Sequence, residues 1–62
     1  MQTTILRLPE VKARTGLSRS TIYARISEGR FPESISLGDR AVGWLDHEIQ
    51  EWLDSRIRDS RG

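Results

Sequence analysis

Apolar residues along this chain fall into four groups separated by glycine and proline. Leu8 and Val11 are three apart, a spacing that puts both on one face of a helix, and Leu17 follows just past Gly16. Ile22 and Ile26 are four apart and stack on one helical face. Ile35, Leu37, Val42 and Trp44 then alternate with small or polar residues around Gly38, the pattern of two short strands. Ile49, Trp52, Leu53 and Ile57 return to helical spacing and form an apolar stripe. The order is helix, helix, hairpin, helix: a mainly α fold with a small β-hairpin.

Punctuation sets the boundaries. Pro9 suits the first position of a helix over 9–15, with Glu10 favourable at the positive end of its dipole. Gly16 ends that helix. Ser18 has the chemistry to cap a second helix, over 18–28, for which Gly29 supplies the stop and Pro32 bars continuation. The hairpin occupies 34–44. Asp46 is placed to cap a C-terminal helix over 46–58, with Glu48 in its first turn, Arg56 and Arg58 near its end, and residues 59–62 fraying.

Parity constrains the hairpin. If Leu37 pairs with Val42 across a four-residue loop, Gly38 to Ala41, then Ile35, Leu37, Val42 and Trp44 share one face. A two-residue Gly38-Asp39 turn gives the same parity, whereas a three-residue loop splits them. The four-residue loop is preferred because it places Arg40 at the exposed tip, off the apolar face.

With 62 residues and no cysteine, the chain reads as one small domain without disulfide or thiolate zinc support. No apolar run nears the roughly 20 residues that span a bilayer, and the first residues lack a signal-peptide pattern, so the cytoplasm is the expected location. The net charge of +1 is uninformative until it is divided. Residues 1–45 carry seven basic groups against four acidic ones, while residues 46–62 carry three against five. The basic surface therefore coincides with the first two helices and the hairpin.

Thr15-Gly16-Leu17-Ser18-Arg19-Ser20-Thr21-Ile22-Tyr23 has the form of the turn and second helix of a helix-turn-helix, a glycine-containing turn that sends the next helix toward a major groove. At about 100° per residue, Ser20, Ala24 and Ser27 lie opposite Ile22 and Ile26, flanked by Thr21 and Tyr23. This outer face is small and polar. A helix that is merely solvated more commonly carries long Glu and Lys side chains there, so a DNA-reading helix is the favoured interpretation.

Each candidate contact has an ordinary alternative. Arg19 is suited to bidentate bonding of guanine O6 and N7, or to clamping a phosphate. Ser18, Ser20 and Thr21 are phosphate donors, with Ser18 also claimed by capping. Tyr23 either packs on a thymine methyl, bonds a phosphate or is partly buried against the hairpin. Arg40 at the tip lies against phosphates or in a narrow minor groove, or stands idle in solvent. Arg14 and Arg30, near helix ends, are weaker phosphate candidates.

Other functional classes have less support. His47 is the only histidine, and no serine, aspartate and histidine spacing suggests a triad. Asp46, His47 and Glu48 are adjacent and point apart on a helix, so neither catalysis, a metal site nor a cofactor is expected. No small-molecule ligand is expected either. The more serious rival is a protein-interaction module, such as an antirepressor using Trp52 and Leu53, for which an exposed Trp52 would be the mark.

Taken together, Arg7-Leu8-Pro9-Glu10-Val11, Thr15 to Tyr23, Glu28-Gly29-Arg30-Phe31-Pro32 and Leu37 to Trp44 resemble the AlpA family of phage and prophage regulators. That family is related to excisionases and to the MerR-type DNA-binding domain. The resemblance runs from about Arg7 to Leu53. It implies a winged helix-turn-helix that acts as a transcriptional regulator, often of an integrase gene, or as an excisionase bending DNA at an attachment site. The implied partners are double-stranded DNA, further copies on repeated sites, and integrase. Ser18, Arg19, Ser20 and Tyr23 fall at the DNA-facing helix start and Arg40 in the wing. At Ala24 the chain departs from the many members with a basic residue there. Either one contact is missing or Arg25 on the neighbouring flank replaces it, unless Arg25 pairs instead with Glu28.

Overall fold

Two glycines held at φ 73°, Gly16 and Gly29, close the first two helices, a backbone region that costs L side chains about 1–2 kcal/mol. The structure is a computed structural model that describes residues 4–61. Its elements are β1 (Ile5–Leu6), α1 (Leu8–Thr15), α2 (Arg19–Ser27), β2 (Ile35–Gly38), β3 (Ala41–Leu45) and α3 (Asp46–Arg61). The mainly helical fold with a small antiparallel sheet is that expected of a winged helix-turn-helix.

α1 begins at Leu8 rather than Pro9, so the proline stands within the first turn, where its missing N–H costs nothing. Glu10 accepts a hydrogen bond from the Arg7 N–H at 3.1 Å and ties down the helix start. The Gly16 N–H returns to the Lys12 carbonyl at 2.8 Å, and Thr15 Oγ1 donates to the Val11 carbonyl. These bonds fix the tight turn into α2.

β1 was not legible in the apolar pattern, because two residues are too few to alternate. It forms because β3 offers a partner edge: Ile5 lies opposite Leu45 and Leu6 opposite Trp44, and the Asp46 N–H bonds the Thr4 carbonyl at 2.9 Å. The sheet order is β1-β3-β2, all antiparallel. Central β3 packs against α1 on one side of the chain sequence and α3 on the other.

The hairpin departs from the expected parity. Ser36 lies opposite Val42 but Gly38 lies opposite Ala41, so β2 carries one extra residue, Leu37, in a bulge before the turn Asp39-Arg40. The loop is thus neither the four-residue one nor Gly38-Asp39. The extra residue splits the apolar set: Trp44 turns into the core, while Ile35 and Leu37 face outward, 36% and 42% exposed. Gly43 takes the place opposite Ile35, and a Cβ built there falls 2.5 Å from Ile5 Cγ2 and 3.1 Å from Leu37 Cδ1. Only glycine lets β1 and the bulge close over β3.

Val11, Ile22, Trp44 and Ile49 are fully buried, with Leu6 and Phe31 nearly so. Leu8, Leu17, Ile26, Val42, Trp52 and Leu53 pack around them. Asp46 is the first residue of α3 rather than its cap, and the helix continues through Arg61 where fraying after Arg58 was expected. Gly62 lies outside the described residues. Ile57, the last member of the apolar stripe, is 50% exposed because α3 outruns the sheet beneath it.

Gly43→Val is expected to lower stability by about 1–3 kcal/mol through overpacking. Chemical denaturation measures it, and an unchanged midpoint would mean that the three strands are not this tightly closed.

Candidate nucleic-acid interface

The start of α2 is built by Ser18. Its Oγ accepts the Thr21 N–H at 3.3 Å and donates to Thr21 Oγ1 at 2.9 Å. This spends the Ser18 hydroxyl on capping, where the sequence left it open between cap and phosphate donor, and it leaves the Thr21 hydroxyl with its own proton to give outward. Ser20, Ala24 and Ser27 are exposed and form a shallow polar strip along the helix. Ser27 Oγ bonds back to the Ala24 carbonyl at 2.8 Å and so lies flat. Little bulk stands between this strip and an approaching surface.

One flank of the strip faces the hairpin. Tyr23 meets Trp44 edge to face, with centroids 6.3 Å apart, and keeps 37% of its surface exposed. The Arg19 guanidinium lies over the Tyr23 ring at 5.6 Å. A planar cation stacked on a ring that is itself braced by a buried indole loses much of its freedom. Tyr23 is thus partly buried against the hairpin, with the rest of its surface exposed.

The opposite flank carries Arg25, which is half-buried and whose Nε has no hydrogen-bond partner among the described residues. The pairing of Arg25 with Glu28 is not formed. Glu28 lies instead 3.6 Å from Arg30. The Arg14 guanidinium bonds Asp46 at 2.7 Å and Gln50 at 2.9 Å, tying α1 to α3.

Arg40 occupies the turn of the hairpin at φ 64°, the one non-glycine residue with positive φ among those described. A long side chain held there is strained, and such strain recurs where a side chain has a task that glycine cannot perform. No cluster of three or more His, Cys, Asp or Glu capable of holding a metal ion occurs among the described residues, and none of their helices is long and apolar enough to cross a membrane. Trp52 does not offer the exposed ring that a protein-docking module calls for. It packs on Phe31, with centroids 4.8 Å apart, and its N–H donates to the Arg30 carbonyl at 2.9 Å.

Residues 4–57 match the family model described as prophage CP4-57 regulatory protein (AlpA). The chain belongs to the AlpA family. Among its relatives, an uncharacterized protein, ORF88, of Enterobacteria phage P4 is 50% identical over 56 residues, covering 90% of this chain and 64% of the relative. The chain therefore spans under two thirds of that relative's length. The DNA-binding transcriptional activator AlpA of Escherichia coli (strain K12) is 42% identical over 60 residues, covering 87% of this chain and 86% of that protein. The family match takes in α1, α2, the hairpin and most of α3, so the whole surface described above lies inside it.

Arg40→Gly separates strain from service. Stability is expected to hold or rise, by up to about 1 kcal/mol, since glycine accepts this φ freely. Affinity for duplex DNA is expected to fall in the same variant. A loss of stability, measured by thermal melting, would show that Arg40 serves the fold.

Proposed function

We propose that this chain is a sequence-specific DNA-binding transcriptional regulator of the AlpA type, with α2 in the major groove and the hairpin tip on the adjacent backbone or minor groove. The observation that carries this reading is the strip of Ser20, Ala24 and Ser27, low enough for bases to approach, bordered by the ring-braced Arg19. Arg19 reads a guanine edge. Ser20, Thr21 and Tyr23 donate to phosphate, Arg25 lies along the backbone on the far flank, and Arg40 reaches it from the wing. Ser18 contributes by holding the helix start. The name and 42% identity of the Escherichia coli relative support the same class of function.

A site this small makes few phosphate contacts, and its affinity falls steeply with salt. Side-by-side copies on repeated sequences raise occupancy by avidity. Control of an integrase gene is the regulatory role we assign, and integrase itself is a candidate partner at such a site. In this reading the chain works by occupying its DNA site.

Selection of binding sites from a random duplex pool tests the reading. The chain is expected to enrich a defined motif, and Arg19→Ala to relax it at one or two positions, a loss of roughly 1–3 kcal/mol of discrimination. Enrichment of the same motif by the folded variant would remove Arg19 from base reading. Failure of the unaltered chain to enrich anything would overturn sequence-specific binding.

A further inference from the structure

Beyond the Arg19 flank, the far side of α2 holds a second charged feature. α2 ends in a double return: the Gly29 N–H bonds the Ile26 carbonyl at 3.0 Å and the Arg30 N–H bonds the Arg25 carbonyl at 2.8 Å. This Schellman geometry folds the chain back on the helix, so that Arg30 comes level with Arg25, one turn and a half behind it in sequence. Between them the absence of a side chain beyond Cβ at Ala24 leaves a shallow depression of about 450 Å³. It is bordered by Ser20 and Thr21, by Arg25 and Arg30, and by Glu28.

We infer that this depression is a seat for one backbone phosphodiester of duplex DNA, and that Glu28 is a built-in competitor for it. The inference rests on the DNA-binding reading and assigns Arg30 and Glu28 a part in it. The lining residues suit a phosphate: two arginines and two hydroxyl-bearing side chains border the depression. Arg25 brings a guanidinium whose Nε is buried and without a partner among the described residues. Open and shallow, the seat suits an anion delivered on a strand already lying along α2. Arg30 is held meanwhile by Glu28 at 3.6 Å, in a pair whose side chains remain 60% and 55% exposed. A contact that long and that wet is weak. A phosphate that takes Arg30 over must first break this pair, and the cost of breaking it lowers the net affinity. The pair therefore restrains sequence-independent binding, because a phosphate seat carries no sequence information.

Glu28→Gln, Arg30→Ala and the double variant, titrated with a random-sequence duplex of about 20 base pairs over a range of salt, test this directly. Both side chains are exposed, so the fold does not depend on them. Glu28→Gln is expected to tighten binding by up to about fivefold, the scale of an exposed charge contact. Arg30→Ala is expected to weaken it on that scale and to flatten the log–log salt slope by about 0.9. In the Arg30→Ala background, Glu28→Gln is expected to have lost most of its effect. Equal tightening in both backgrounds would reduce Glu28 to a general repulsive charge, and an Arg30→Ala slope equal to that of the unaltered chain would remove the seat. If those failures come while Arg40→Gly still weakens binding, the seat alone falls. If the unaltered chain does not bind the duplex even at low salt, the DNA-binding reading falls with it.

Discussion

The structure depends on the burial of Trp44 with its single polar atom satisfied. The ring has no exposed surface, and its N–H donates to the Pro32 carbonyl at 3.1 Å. Cutting back a buried tryptophan costs about 3–5 kcal/mol. At roughly 0.05–0.15 kcal/mol per residue, or about 3–9 kcal/mol in all, a chain of 62 residues loses a third of its stability or more by that one change. One side chain therefore sets the relative positions of parts that local structure leaves independent: β3 supplies it, the loop after α2 accepts its hydrogen bond, and Tyr23 of α2 rests against its face.

This arrangement links the core to the exposed edge. Trp44 braces Tyr23, and Tyr23 carries Arg19, so the proposed base-reading side chain is two contacts from the centre of the molecule. The second indole does similar service for the far flank. Trp52 packs at a tilt on Phe31 and its N–H donates to the Arg30 carbonyl, which fixes the return that brings Arg30 beside Arg25. Both tryptophans thus hold residues 30–32, and with them the exit of α2. α1 is locked separately, by Val11 in the core and by the Arg14–Asp46 pair at its end.

Much of this was legible in the sequence because it is local. Gly16, Ser18 and Gly29 fix the ends of α1 and α2 through backbone chemistry that depends on a few neighbours, and Ile22 and Ile26 orient α2 by spacing alone. The errors arose where a distant partner decides. A single bulge residue, Leu37, reversed the parity of β2, and no local signal separates a bulge before a turn from a longer turn. β1 exists only because β3 lies beside it. At the proposed interface, the composition of the outer face of α2 was readable, and so was Arg40 at the tip of the hairpin. Its left-handed backbone was not, since glycine or asparagine is the usual occupant of such a position. The Arg14–Asp46 pair spans 32 residues and is invisible to spacing. The Arg25–Arg30 juxtaposition was latent in Glu28-Gly29-Arg30, because a glycine closing a helix in this motif turns the next residue back toward the third from the helix end.

The central claim is that α2 and the hairpin tip together, held by Trp44, are the surface that meets DNA. Backbone amide shifts recorded while a short duplex is added to the labelled chain test it most directly. The largest changes are expected on residues 18–25, on Arg30, and on Asp39 and Arg40, with the outward face of α3 around Ile57 little affected. Changes centred on α3, or on the outer sheet face at Ile35 and Leu37, with α2 unmoved, would contradict it.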